Sequence, residues 1–253
     1  MGGHSHWSTI KRQKGASDAK RGAIFTKLSR EVTVAAREGG GDPGMNPRLR
    51  LAIEKAREGN MPADTIKRAV ERGVGGGEGA SALQEITFEG YGPGGVAILV
   101  QTLTDNRNRT VSDLRTTLTR GGGTLGESGS VAWQFEGKGI ITLETKDADP
   151  EELALTAIDA GAEDVRVEGE FVEVVTGPTE LDKVRKQLQE AGLKIGSSEL
   201  SLLPKNTMPL DDKAAAQALR LLDQIEDLDD VQKVYSNADF PDSVLMEYAA
   251  AAQ

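Results

Sequence analysis

Residues 73–79, Gly73-Val74-Gly75-Gly76-Gly77-Glu78-Gly79, divide the chain into parts whose apolar residues repeat with different periods. So many glycines cannot sit inside a helix or a strand without a large entropic cost, so the stretch reads as a linker. Before it the apolar spacing is helical. Ser17 is a plausible N-cap for a helix to about Arg37, which Gly39-Gly40-Gly41 closes. Asn46 followed by Pro47 signals a second helix that ends near Gly59. A third begins at Pro62, carries Ile66, Ala69 and Val70 on one face, and stops at Gly73.

After the linker strands take over. Residues 83–90 and 95–104 read as strands joined by the turn Gly90-Tyr91-Gly92-Pro93-Gly94, followed by a helix over 108–120 and a strand-like stretch reaching Phe135. Residues 139–203 then give strand, helix, hairpin, helix, strand, which is the βαββαβ order of a ferredoxin-like domain. The tail adds a strand near 207–209, a helix over 211–225 and a strand over 230–236. A lone β-α-β cannot close a sheet, but it can complete the unfinished β-β-α-β of residues 83–135. The expected class is therefore α+β, a helical N-terminal domain followed by two α/β domains, with the third inserted into the second. The expected boundaries are 1–77, 80–137 with 205–240, and 138–204.

Charge follows the same division. Residues 1–77 carry 15 Lys and Arg against 8 Asp and Glu, while the remainder carries 15 against 32, within a formal net charge of −10. A basic module on an acidic body suits a polyanion held at one end of the protein. There is no cysteine, which removes disulfides, thiolate zinc sites and a thiol nucleophile. The longest wholly apolar run, Val96-Ala97-Ile98-Leu99-Val100, is too short for a membrane span or a signal peptide, so a soluble protein with no membrane partner is expected.

On a helical wheel Lys20, Lys27, Arg30 and Arg37 fall within an arc of roughly 100°, and Ile24, Phe25, Leu28, Val32, Ala35 and Ala36 on a separate arc of roughly 120°. Val34 lies on the basic arc and Arg21 on the apolar one, so the separation is imperfect. Upstream, Lys11, Arg12 and Lys14 stand beside Trp7, His4 and His6. Lysine and arginine neutralise phosphates and an indole can stack on an exposed base, so this set suits nucleic acid. The bland alternative is a solvated basic helix face. Arg107 and Arg109, at the start of the 108–120 helix, can hold a phosphate together with its free N–H groups, unless they only decorate a capped turn.

Other motifs fail. Gly90 to Gly95 fits G-x-G-x-x-G, but a strand follows where dinucleotide binding needs a helix. Gly126-Glu127-Ser128-Gly129-Ser130 lacks the final glycine of a nucleophile elbow. Both histidines lie at the extreme N-terminus, and no acid–base constellation stands out, so no enzyme, cofactor or small-molecule substrate is expected. With Met1 removed, Gly2-Gly3-His4 can hold Cu(II) or Ni(II) in a square plane, a capacity of the peptide rather than an expected metal site.

At several stretches the chain resembles the YebC/PmpR family, which includes the mitochondrial translational activator of cytochrome c oxidase. The resemblance runs through Gly3-His4-Ser5, Trp7, Asp18-Ala19-Lys20-Arg21-Gly22, Ile24-Phe25-Thr26-Lys27-Leu28, Asn46-Pro47-Arg48-Leu49-Arg50, Asn60-Met61-Pro62, Glu89 to Gly95, Leu103 to Thr110 and Asp229-Asp230-Val231-Gln232. It covers about residues 2–240. His6 departs from the lysine usual in the family, which makes that contact pH-sensitive. The resemblance implies three domains and a bacterial cytoplasmic setting, since no organelle-targeting extension precedes Gly2. It also implies either a DNA-binding transcriptional regulator or a ribosome-associated factor that binds ribosomal RNA and assists difficult, proline-rich sequences. The first places Lys11, Arg12, Lys14, Lys20, Lys27 and Arg30 on DNA phosphates, and the second places the same cations on RNA. A third possibility is an interaction scaffold that uses the acidic domains. No recognition helix or dimer element stands out, so the sequence alone does not choose an oligomeric state.

Overall fold

The computed structural model describes residues 18–75, 83–145, 149–168 and 171–250. By contact the chain forms two compact units, Met1–Ala132 with Thr207–Gln253, and Trp133–Asn206.

The first unit opens with three helices, α1 (Asp18–Gly39), α2 (Pro47–Glu58) and α3 (Ala63–Val74). Their punctuation is local. Asn46 accepts from the Leu49 N–H through Oδ1 (3.0 Å), and its amide donates to the carbonyls of Ala35 and Gly40 (2.8 Å each). A buried asparagine is thereby satisfied on both sides while it starts α2 and ends α1. Val32, Ala35 and Ala36 of α1 pack on Leu49, Ala52, Ile53 and Ala56 of α2 and on Ile66 and Ala69 of α3. The small residues let α1 and α3 approach closely. A Cβ on Gly73 would lie 2.4 Å from the Thr33 carbonyl oxygen and 2.8 Å from the Ala36 Cβ. Glycine at 73 is thus a packing requirement inside α3, and the helix stop read there falls at Gly75 instead.

The rest of this unit is a sheet with helices on one face. Strands β1 (Gln84–Tyr91) and β2 (Ala97–Thr104) form an antiparallel hairpin, followed by α4 (Arg107–Arg120) and the short β3 (Thr124–Leu125). The Gly90 to Gly95 stretch is the hairpin turn, with Gly94 at φ 73° and Gly95 at φ 83°, so its glycines serve a left-handed backbone and no helix N-terminus follows.

The second unit is a complete βαββαβ module. It comprises β4 (Phe135–Glu144), α5 (Pro150–Asp159), β5 (Asp164–Glu168), β6 (Phe171–Thr176), α6 (Leu181–Glu190) and β7 (Ile195–Pro204). The strand order is β5-β6-β4-β7 and every pair is antiparallel, which is the ferredoxin-like arrangement. Ile141, Leu143, Val172 and Val174 line one sheet face under Leu153 and Ala157 of α5 and Val184 and Leu188 of α6. The alternating valines of β6 are the period-2 signal of a strand with one face in a core.

The chain then returns to the first unit with β8 (Met208–Pro209), α7 (Asp212–Glu226), β9 (Val231–Ser236), β10 (Ala238–Asp239) and α8 (Asp242–Ala250). Strand β9 pairs antiparallel with β2, giving the order β3-β1-β2-β9, so the ferredoxin-like module is inserted into the domain that this sheet defines. Leu219, Leu222 and Ile225 of α7 share a core with Phe88, Val96, Ile98 and Val100 of the hairpin and Leu114 and Leu118 of α4.

Three elements differ from the sequence reading, one of them the two-residue β10, which pairs with β8. Helix α8 is additional, and it buries Val244 and Leu245 in the same core. The stretch expected as a strand up to Phe135 is extended only at β3. Beyond it the N–H groups of Gly129, Val131 and Ala132 donate to the buried Glu89 carboxylate (2.6–2.8 Å) and not to a strand. Burial pushes the Glu89 carboxyl upward, but the three N–H groups outweigh it and hold the group below the ordinary glutamate value.

Gly73→Ala is expected to destabilise the first unit by about 2 kcal/mol, because the clash is with backbone that cannot rotate away. Urea unfolding of the variant beside wild type measures this. An unchanged midpoint would mean that the α1–α3 approach is looser than described.

Candidate nucleic-acid interface

Of the residues read as nucleic-acid contacts, His4, His6, Trp7, Lys11, Arg12 and Lys14 lie outside the described residues, as do the N-cap Ser17 and the Gly2-Gly3-His4 peptide. Lys20 and Arg21 fall on the first turn of α1, where only their backbone is described. The described members of the set are Lys27, Arg30, Arg107 and Arg109.

Three of these four turn inward. Lys27 Nζ donates to the Glu226 carbonyl at the end of α7. Arg30 Nη1 donates to the Asp229 carbonyl (2.6 Å) and pairs with Asp230 Oδ1 (2.8 Å). Arg109 Nη2 lies 2.9 Å from each Asp230 oxygen and 2.7 Å from Asp105 Oδ1. Arg37, from the same arc of α1, donates to the Leu83 carbonyl (2.8 Å). Between these cations Val34 is fully buried against Leu83 and Leu103. The basic arc of α1 is therefore a docking face. An apolar residue at its middle is sealed on the α/β part, and the flanking cations satisfy carbonyls and a carboxylate there. Arg107 differs, being exposed with no ion-pair partner among the described residues.

The centre of this contact is Asp230, only 6% exposed at its side chain. Besides the two guanidinium groups, the Thr104 and Thr110 hydroxyls lie 3.1 and 2.8 Å from Oδ2. Burial alone would push its carboxyl upward. The bonds from Thr110 and Arg109, the charge of Arg30 and the bond from Thr104 outweigh that, and the group titrates below the ordinary aspartate value. The N-terminus of α4, capped by Asn106 Oδ1 on the Arg109 N–H (3.1 Å), thus has an internal carboxylate on the very arginine read as a phosphate ligand. Around it lies a cleft of about 440 Å³, where Arg30 and Arg109 face Asp113, Asp227, Asp229 and Asp230. Four carboxylates against two guanidinium groups make the cleft repulsive to a free phosphate.

Asp230 had no assigned role in the sequence, although Asp229-Asp230 is one of the quoted stretches. No local signal marks it, since an acidic pair ahead of a strand that is half polar reads as ordinary surface charge. Among the described residues no group of His, Cys, Asp or Glu is arranged to hold a metal, and no helix is long and apolar enough to cross a membrane.

Comparison with known proteins covers nearly the whole chain. Residues 5–76 match the family described as the TACO1/YebC protein N-terminal domain, and residues 83–238 match the TACO1/YebC second and third domain. A probable transcriptional regulatory protein of Dehalococcoides mccartyi is 54% identical over 252 residues, covering all of both chains. One of the same description from Rubrobacter xylanophilus is 54% identical over 98% of this chain and 100% of its own. A crystal structure of a conserved hypothetical protein from Aquifex aeolicus, 45% identical, superposes with a TM-score of 0.81 over 89% of this chain and 93% of that one.

Replacing Asp230 by Asn leaves two guanidinium groups without their carboxylate. The expected loss is about 2 kcal/mol, below the roughly 3–5 kcal/mol of a fully buried pair because Arg109 is partly open to solvent. Since Asp230 titrates lower when folded than when unfolded, its stabilisation is complete above the ordinary aspartate value and is lost as pH falls through the folded one. Urea midpoints of wild type and Asp230→Asn should therefore differ at neutral pH and converge in acid. A constant difference would remove the carboxylate charge from the account.

Proposed function

The chain belongs to the TACO1/YebC family, and from that membership we propose that it is a non-enzymatic, cytoplasmic, DNA-binding transcriptional regulator of the YebC type. The observation that carries this reading is the concentration of positive charge before residue 78, 15 Lys and Arg against 8 Asp and Glu, on a strongly acidic remainder. The names of the relatives, probable transcriptional regulatory proteins, point the same way.

Within residues 1–77, taken as a domain of its own, the proposed contacts are His4, His6, Trp7, Lys11, Arg12, Lys14, Lys20 and Arg21. Exposed Arg50, Arg57, Arg68 and Arg72 on α2 and α3 extend the positive field. Arg30 and Arg109 serve the internal pair instead, with Lys27 beside them on a carbonyl. No cofactor, membrane or small-molecule substrate enters this role.

A second reading, ribosomal RNA, is favoured by one specific observation. The docked arc of Lys27, Arg30 and Arg37 leaves α1 without a continuous basic face to lay in a major groove. Unpaired RNA instead suits Trp7 among cations, because a splayed base can stack on the indole.

Ultraviolet crosslinking in growing cells, with recovery of both DNA and RNA, separates the readings. Enrichment at discrete promoters, lost in Lys11→Glu/Lys14→Glu/Lys20→Glu, is the expected result. Reads on a few ribosomal RNA positions with the same sensitivity would replace it with the second reading. Recovery of neither nucleic acid would overturn both and leave the acidic domains as a protein scaffold.

A further inference from the structure

Helix α4 is out of keeping with the part of the chain that carries it. After residue 77 there are 15 Lys and Arg against 32 Asp and Glu, yet α4 holds four arginines and one acid, Asp113. Its buried stripe is Thr110, Leu114 and Leu118. At about 100° per residue the opposite arc holds Asn108, Arg109, Ser112, Arg115, Thr116, Thr119 and Arg120, and all seven are exposed. Each of these side chains donates hydrogen bonds and none is negative. Asp113 falls outside the arc, in the wall of the Asp230 cleft.

The state of the arginines separates two jobs. Arg109 is committed to Asp230 and Asp105. Arg107, Arg115 and Arg120 are exposed and have no ion-pair partner among the described residues. A merely solvated helix face on so acidic a protein would be expected to carry acids, and this arc has none; its one i,i+4 ion pair is that of Arg109 with Asp105. From Asn108 to Thr119 the arc runs for about 16 Å, the rise of roughly five nucleotides of one strand. Phosphate oxygens accept from Arg, Ser, Thr and Asn side chains, which are the only types present on the arc.

We propose that the exposed face of α4 is a second binding surface for the sugar–phosphate backbone of DNA, separate from the N-terminal segment and carried by Arg115 and Arg120. It rests on the DNA-binding reading above. The surface reads charge and spacing rather than bases, so it adds affinity without sequence preference. The surrounding acids repel phosphates elsewhere, which confines contact on this part of the protein to α4.

The test uses the full chain, a fluorescent 30-base-pair duplex and a fluorescent single-stranded RNA, with anisotropy titrations across a range of salt. Arg115→Gln/Arg120→Gln should bind the duplex several-fold or more weakly at low salt, with a salt slope shallower by about 2. The matching double replacement by Lys keeps the charge and should retain most of the slope, which separates lost charge from a damaged helix. Wild-type binding to the duplex with both variants unchanged in affinity and slope would overturn the α4 surface and leave the DNA-binding reading standing. Wild-type protein that binds only the RNA, or neither probe, would overturn that reading and the α4 surface with it.

Discussion

A single buried carboxylate, that of Asp230, joins the N-terminal helices to the α/β part of the first unit. It lies immediately before β9 and accepts from Arg30 of α1 and Arg109 of α4. A carboxylate so buried is tolerable only when matched by charge and hydrogen bonds, and here both are supplied by residues 121 and 200 positions away. Its place depends on β9 pairing with β2, which in turn needs the chain to return from the inserted module. Helix docking, completion of the sheet and the capped start of α4 are therefore energetically coupled. Substitutions at Arg30, Arg109 and Asp230 belong to one network and will not add independently.

The elements that punctuate themselves were legible in the sequence. Asn46-Pro47, Pro62 and the glycines at 39–41 act through backbone chemistry within a few residues, so their effect needs no knowledge of the fold, whereas Gly73 lies inside α3 and is needed for packing on α1. The order of the inserted module was legible for the same reason, since the alternating valines of β6 and the Asp149-Pro150 start of α5 are local signals. Helix α8 was not. Its core residues, Val244 and Leu245, are adjacent and run into an alanine-rich tail, which gives no clear helical stripe. The stretch after β3 misled because its backbone donors are satisfied by Glu89, about forty residues earlier.

The interface divides in the same way. Periodicity showed that Lys27, Arg30 and Arg37 share a face, but nothing local shows what lies opposite that face. The informative residue was Val34. A β-branched apolar side chain in the middle of a cationic arc has no place on a solvated phosphate-binding surface, and it fits at once when that surface packs against Leu83 and Leu103. Asp230 was illegible because two adjacent acids read as ordinary surface charge until the fold brings them beside Arg30.

These contacts also decide which cations can meet a polyanion. An exposed ion pair is worth about 0.2–1 kcal/mol, whereas stripping a buried carboxylate of its partner costs about 3–5 kcal/mol. A phosphate competing for Arg30 would gain the smaller quantity and incur most of the larger one. The internal pair therefore holds, and the acids beside it in the cleft add repulsion at close range. Formal charge before residue 78 overstates the field that a nucleic acid meets, because part of it is already neutralised within the fold. Among the described residues, what remains is carried by the exposed arginines of α2, α3 and α4. An acidic protein of this kind can hold a polyanion only where its own carboxylates are absent, so the pattern of internal pairing sets where contact is possible.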